Sequence, residues 1–309
     1  MPVASGRRWL GRDAAYAVMA EVPVAAVDAG GFVDFSVQPP TAEFQAELQA
    51  DEMTGYARTY RPPDGAHATV EALVAALERA GAIAVIKAID ARHGDGTHIS
   101  NEHVADVCRS ARGRLLGFAA ADPLDGEDGV RRFEEAISGH GLRGLNVQLY
   151  HNGLRADDAH LWPLYDACVR LGVPVNLHVG MSFSMRPMEY GDPLAVDRVA
   201  CEFPGLTIVC APPGFPWIRE LIAVAWRHPR VYIGLPGLRP RYLAREASGW
   251  GELLTYGRSV LAQKMIFGTA YPLIPIERSV LEIRELGLGP DVERAWLRDN
   301  ALRVLGLAT

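Results

Sequence analysis

With 309 residues, 49% of them hydrophobic and 22% charged, and with 31 Gly and 21 Pro, the chain can bury a large core behind many punctuated turns. This composition excludes disorder, collagen and coiled coil, and the length admits either two domains or one α/β barrel. A net charge of −6 provides no long-range positive field to gather nucleic acid or an anionic membrane, so neither partner is expected. Cys108, Cys168, Cys201 and Cys210 share no C-x-x-C spacing, and a chain of this size needs no disulfide staples, so a cytoplasmic location is expected. Arg7-Arg8 has the look of a twin-arginine export signal, but the apolar stretch behind it, Ala14 to Ala20, is short and flanked by Asp13 and Glu21. No apolar run approaches the roughly eighteen residues of a transmembrane helix.

Short apolar, β-branched runs alternate with segments of helical periodicity. The runs are Val22–Val27, Ile83–Ile89, Leu115–Ala120, Gly144–Leu149, Val173–His178, Leu206–Cys210, Val231–Leu235 and Met265–Gly268. The helical patterns cover Thr69–Ala80, Asn101–Ser110, Asp128–Ser138, Ala159–Leu171, Ile218–Arg227, Ile276–Leu286 and Val292–Leu305. Alternation throughout implies parallel strands and right-handed crossovers. With no linker, composition change or short repeat, the pattern predicts a single (β/α)8 TIM barrel over residues 1–309. Two long segments, 35–68 and 181–192, follow strand ends on the face where barrel active sites are built, and read as loops that cover a substrate.

Several runs together resemble the amidohydrolase-related family, the branch that includes aminocarboxymuconate-semialdehyde decarboxylase and small lactonases. Trp162-Pro163-Leu164-Tyr165-Asp166-Ala167-Cys168, leading into Leu171-Gly172-Val173-Pro174-Val175-Asn176-Leu177-His178, is similar to its fifth βα unit. Phe203-Pro204-Gly205-Leu206 with Gly214-Phe215-Pro216-Trp217 resembles the sixth, and Ile266-Phe267-Gly268-Thr269-Ala270-Tyr271-Pro272 the eighth strand. Asp299-Asn300-Ala301-Leu302-Arg303-Val304-Leu305 resembles the closing helix.

The resemblance implies a divalent metal held by two histidines after strand one, histidines on strands five and six, and an aspartate on strand eight, an arrangement that activates a water. In this chain Gly30 and Phe32 stand where the strand-one pair is expected, Pro212 stands on strand six and Ala270 on strand eight, leaving His178 alone. No cofactor is therefore expected, and the remaining way to assemble a metal site is an unusual one from His178, Cys210 and Asp28.

Strand alternation points Asn176 inwards with His178, and groups Asn146, Gln148 and Tyr150. Lys87 is a charge inside an apolar run and needs a partner, for which Asp28 is the nearest carboxylate by strand order. His178, Asp28 and Lys87 are thus the candidate catalytic groups, with His178 as acid or base. Arg61 and Arg186 are candidate carboxylate anchors, and Asn176, Gln148, Tyr60, Tyr150, Phe32, Cys210 and Tyr271 candidate pocket walls, although Cys210 also suits a core. His93, His98 and His103 read as a polar loop before a helix, and His151 as a residue at the pocket rim. The expected function is metal-independent, His-centred acid/base chemistry on a small cyclic or aromatic carboxylic acid or lactone, by hydrolysis or by decarboxylation or another lyase or cyclisation step. The competing reading is an inactive homologue kept for small-molecule binding or as a partner subunit, and a homo-oligomer is compatible with either.

Overall fold

The computed structural model describes residues 23–46, 55, 58–60 and 69–308. Arg61, the Arg7-Arg8 segment and most of 47–68 lie outside the described residues. Ten strands are present among the described residues: β1 (Val33–Asp34), β2 (Ile83–Lys87), β3 (Ile89–Asp90), β4 (His98–Ile99), β5 (Leu115–Phe118), β6 (Leu145–Val147), β7 (Val175–Leu177), β8 (Ile208–Cys210), β9 (Val231–Gly234) and β10 (Met265–Ile266). Parallel pairing runs β1-β2-β5 in one sheet and β10-β9-β8-β7-β6 in another.

Two backbone seams join these sheets into a ring. Between β5 and β6, Ala119 N–H donates to Gly144 O at 2.8 Å and Asn146 N–H to Ala119 O at 2.7 Å. Between β1 and β10, Phe35 N–H donates to Phe267 O at 3.0 Å, and Val37 bridges Tyr271. Ring closure satisfies the strand edges, and the predicted TIM barrel is the observed fold. The antiparallel pair β3-β4 is an addition to the loop that follows β2.

The helices fall close to their predicted places because local chemistry fixes their ends. Thr69 caps the helix Val70–Arg79 by accepting Ala72 N–H at 3.2 Å, and Ser100 caps Asn101–Ser110 by accepting His103 N–H at 3.1 Å. Gly172, left-handed at φ +68°, ends Trp162–Leu171. Outward side chains of the strands pack on these helices, while Val33, Phe35, Val85, Leu116, Phe118 and Val209 fill the barrel interior. Phe35 and Phe118 meet edge to face there at 5.4 Å.

One strand is misplaced by the sequence pattern. The apolar run Val22–Val27 does not form the first barrel strand, which is β1, further along the chain. The described part of that run crosses the lower end of the barrel instead, where Ala25 N–H donates to Gly113 O and Val24, Ala25 and Val27 pack against the interior cluster. Both locations bury an apolar, β-branched stretch, and periodicity does not distinguish them.

The lower closure depends on Trp296, fully buried in the turn Ala295–Asp299. Its indole N–H donates to Gly257 O at 3.2 Å and its carbonyl accepts Phe267 N–H at 2.9 Å. Trp296→Ala leaves a large cavity under β10 and is expected to cost about 3–5 kcal/mol. Urea unfolding measures this, and a loss below about 1 kcal/mol would show that the lower closure is not a packed part of the core.

Candidate active site

Above the apolar plug, the strand ends open into one cavity of about 1340 Å³. Its floor is polar: Lys87 ends β2, Asn146 lies on β6, Asn176 on β7, and Gln148 and His178 follow those last two strands. Asn176 Nδ2 donates to Asn146 Oδ1 at 2.9 Å, and Asn146 Nδ2 to Ala88 O at 2.8 Å. This chain of bonds leaves the buried Asn176 Oδ1 without a donor.

Lys87 lies over the ring of Phe35, with Nζ 5.6 Å from the centroid, and makes no hydrogen bond to any described residue. Its nearest charge in effect is Asp34, which is fully buried and committed elsewhere. Asp34 Oδ1 accepts Thr269 N–H at 3.0 Å and Ser36 N–H at 3.1 Å, and Oδ2 accepts the Thr269 hydroxyl at 2.6 Å. Burial pushes Lys87 down to about 7 against the pull of the Asp34 charge. Burial likewise pushes Asp34 up to about 6, opposed by the hydrogen bonds from Thr269 and Ser36 and by Lys87. Asp28, the expected partner, is not in the site: it is exposed and bonded to Gly81 at the opposite end of β2.

His178 has both ring nitrogens near protein groups, Nδ1 3.0 Å from Gln148 Oε1 and Nε2 3.4 Å from Met181 O. Burial pushes it down to about 4, with the charges of His151 and Lys87 acting the same way and the bond to Met181 opposing them. The ring is therefore neutral near pH 7 and a weaker base than its ordinary value suggests. Gly180 fixes the turn that follows: its φ is +98°, and a Cβ there would come within 2.9 Å of the Gly214 backbone.

A second histidine, assigned only to the rim by sequence, has the geometry of an acid/base group. His151 lines the cavity, and its Nδ1 lies 2.7 Å from Asp95 Oδ2, with side chains 13% and 12% exposed. The carboxylate holds Nδ1 as the protonated nitrogen and makes the far nitrogen the one able to take a proton. Asp95 is held below the ordinary carboxylate range by His151 and by Thr97, despite its burial.

Basic side chains dominate the cavity walls. Arg58, Arg239, Arg241, Arg245 and Arg278 join Lys87 there, and Glu246 is the one carboxylate in the lining described. Arg239 is tethered by buried Glu282, whereas Arg58, Arg245 and Arg278 have no carboxylate partner among the described residues. Tyr60 stands in the wall through its hydroxyl bond to Gly237 O, and Tyr150 through bonds to Gly180 O at 2.7 Å and Met188 O at 3.1 Å.

Of the other expected site residues, Asn176 and Gln148 line the cavity and four do not. Phe32 packs edge to face on Phe267 in the core. Cys210 is fully buried there, with its thiol pushed up to about 12 by burial. Arg186 lies against Gly153, outside the lining. Tyr271 is buried behind the wall, where its N–H donates to the Thr269 hydroxyl and its carbonyl accepts Gln38 N–H. The displacement of β1 also moves the strand-one ligand positions from Gly30 and Phe32 to the segment after β1, where Ser36 and Gln38 face the cavity.

These donors do not fit a divalent ion. One engaged imidazole, a hydroxyl, carboxamides and a lysine share the floor, with Pro212 and Ala270 at the remaining positions. Asp28 at the far end and Cys210 in the core cannot join His178. Among the described residues the grouping of three ligand-type side chains is Asp197, Cys201 and His228, on helices outside the barrel. There Asp197 is already bonded to Arg227 at 3.0 Å and to His228 at 2.7 Å.

The amidohydrolase family model matches residues 19–307. A solved TIM-barrel protein from Bordetella bronchiseptica, described as uncharacterized, is 25% identical with a TM-score of 0.75, covering 89% of this chain and 98% of that one. A dihydroxybenzoic acid decarboxylase from a Polaromonas species, solved with bound manganese and an inhibitor, is 16% identical with a TM-score of 0.59, covering 90% of this chain and 97% of that one. The 2-amino-3-carboxymuconate-6-semialdehyde decarboxylase of Dictyostelium discoideum is 28% identical over 78 residues, which is 25% of this chain and 22% of that protein. No helix among the described residues is long and apolar enough to cross a membrane.

The depressed basicity of His178 has a consequence for stability. Between its ordinary value of 6.5 and about 4, the unfolded chain holds the proton and the folded chain does not, so stability falls as pH drops through that window. His178→Gln removes this contribution and is expected to flatten the loss between about pH 7 and pH 5 by about 2 kcal/mol. Urea unfolding at the two pH values measures the difference, and equal losses in both proteins would show that His178 titrates normally.

Proposed function

The chain belongs to the amidohydrolase family, and from that membership and the donor set of its cavity we propose that it is a metal-independent enzyme acting on a small organic carboxylic acid. The observation that carries this reading is the lining itself, with one lysine and five arginines against Glu246 in a cavity of ligand size. Guanidinium groups bind carboxylates through paired hydrogen bonds, and those without protein carboxylates keep that capacity for a ligand. The decarboxylases among the similar proteins agree with this substrate class.

Proton transfer falls to the His151–Asp95 pair. Decarboxylation needs a proton delivered to the carbon that loses carbon dioxide, and lactone hydrolysis needs one taken from water and given to the leaving oxygen. An imidazole oriented by a carboxylate serves either. His178, neutral and held between Gln148 and Met181, shapes the cavity floor in place of the acid/base role expected from sequence.

The test is turnover by chelator-treated protein, with metal content measured by plasma mass spectrometry, on a panel of hydroxybenzoic acids, muconic acids and lactones. Turnover is expected with metal far below one equivalent per chain, and His151→Ala is expected to lower kcat by about 10² or more. Activity that appears only when manganese or zinc is added back would overturn the metal-free reading. Full activity in His151→Ala would remove the dyad from the mechanism, and tight binding of an acid without turnover would make the chain a binding protein.

A further inference from the structure

We propose that Lys87 is a nucleophile that forms a Schiff base with its substrate, and that the substrate is a carboxylate bearing a ketone or aldehyde, of the 2-oxo acid class. This rests on the anion-binding reading of the cavity given above and adds a covalent step to it.

Residue choice across the chain singles out Lys87. Of 31 basic residues only Lys87 and Lys264 are lysines, and the rest are arginines. Where this protein needs a fixed positive charge, in ion pairs or at the cavity mouth, it uses a guanidinium. An arginine cannot lose its proton to become a nucleophile, whereas a lysine can. Lys264 serves a plain structural purpose, since its ammonium donates to Ala225 O at 2.8 Å, to His228 O and to Val231 O at 3.3 Å. Lys87 serves no such purpose, for its ammonium bonds to no described residue and faces the cavity floor.

Placement points the same way. Lys87 ends a strand paired on both sides, to β1 and, opposite Phe118, to β5, so its backbone is held rigidly. Asp34 lies close enough to act on its charge, but the carboxylate is occupied by three donors from Thr269 and Ser36 and does not tie up the amine. Burial favours the neutral amine, the form that attacks. Arginines above hold the carboxylate and leave the carbonyl carbon to approach Nζ. The buried Asn176 Oδ1, which lacks a donor, is placed on the same floor to accept from the intermediate's hydroxyl.

The step balances without an oxidant or a metal. The Nζ lone pair attacks the carbonyl carbon, a C–N bond forms and the C=O π pair moves to oxygen. The oxygen takes a proton that the nitrogen releases, giving a carbinolamine. The second nitrogen proton and the hydroxyl then leave as one water, and a C=N bond remains. Once protonated, that imine draws in the electron pair of a C–H bond at the adjacent carbon, C3 of the 2-oxo acid, so that loss of that proton to a base gives an enamine with the former C=N pair on nitrogen.

The test uses the full chain with 2-oxoglutarate and sodium borohydride near pH 7, read by intact mass spectrometry and peptide mapping, with 2-oxoglutarate binding measured by calorimetry. The expected result is one reduced adduct per chain, mapped to Lys87, requiring both reagents and absent in Lys87→Arg, which keeps the charge but cannot form the imine. Peptide mapping of the unmutated protein decides the site even if that variant fails to fold. Binding of 2-oxoglutarate with no adduct, or with the adduct on Lys264 or the terminal amine, would overturn the Schiff base and leave the proposed function standing. Absence of both binding and adduct would overturn the 2-oxo acid Schiff base, while the turnover panel on hydroxybenzoic acids, muconic acids and lactones decides the proposed function separately.

Discussion

The structure depends on holding an ionisable amine at the end of a strand whose other inward positions are apolar. Below Lys87 the barrel is filled by Val33, Phe35, Ile83, Val85, Leu116 and Phe118, which exclude water from the strand interior. A cation above such a plug loses hydration, and an isolated buried charge is strongly unfavourable. Three features meet that penalty: the face of Phe35 below, the charge of Asp34 nearby, and the open cavity above. The third leaves the amine reachable by a ligand. Thr269 and Ser36, by holding Asp34 in place, therefore govern the charge on a residue that they do not touch.

The same constraint separates the two histidines. His178 shares the floor with Lys87, and each cationic form raises the free energy of the other, so desolvation and repulsion act together to keep the imidazole neutral. His151 sits against Asp95, whose carboxylate lies 2.7 Å from Nδ1 and orients the ring. Two side chains of the same type around one cavity thus have different uses, set by what stands behind each.

Most of the barrel is legible in the chain because the parallel strands after the first are short and apolar and are followed by segments of helical periodicity. Ile83–Lys87, Leu115–Phe118 and Val231–Gly234 all fall inside their predicted runs. The first strand is not, since β1 spans two residues and the better β pattern just upstream wraps the lower end instead. That displacement carries the site with it: Asp34 fills the role that the sequence pattern gives to Asp28, and the cavity position expected of Phe32 belongs to the segment after β1. Lys87, His178, Asn176 and Gln148 are legible because alternation along a correctly placed strand fixes which side chains face inwards. Asp95 and His151 lie 56 positions apart on two loops, and no local pattern announces such a pair.

Net charge is the other quantity that a sequence reports only on average. A chain at −6 gives no long-range positive field, yet its cavity mouth collects Arg58, Arg239, Arg241, Arg245 and Arg278 beside a single glutamate. Outer ion pairs, in which Asp157, Asp197 and Glu252 each meet an arginine on or between the surrounding helices, lie outside the cavity lining. Exposed pairs of that kind contribute little to stability and cancel locally, whereas Arg58, Arg245 and Arg278 at the mouth have no carboxylate partner among the described residues. Within about 10 Å of the entrance, the screening distance at 0.1 M salt, those groups act on a ligand with little screening. An anion that diffuses to the barrel's upper face thus meets attraction where the bulk charge predicts repulsion, and the gradient leads it towards Lys87.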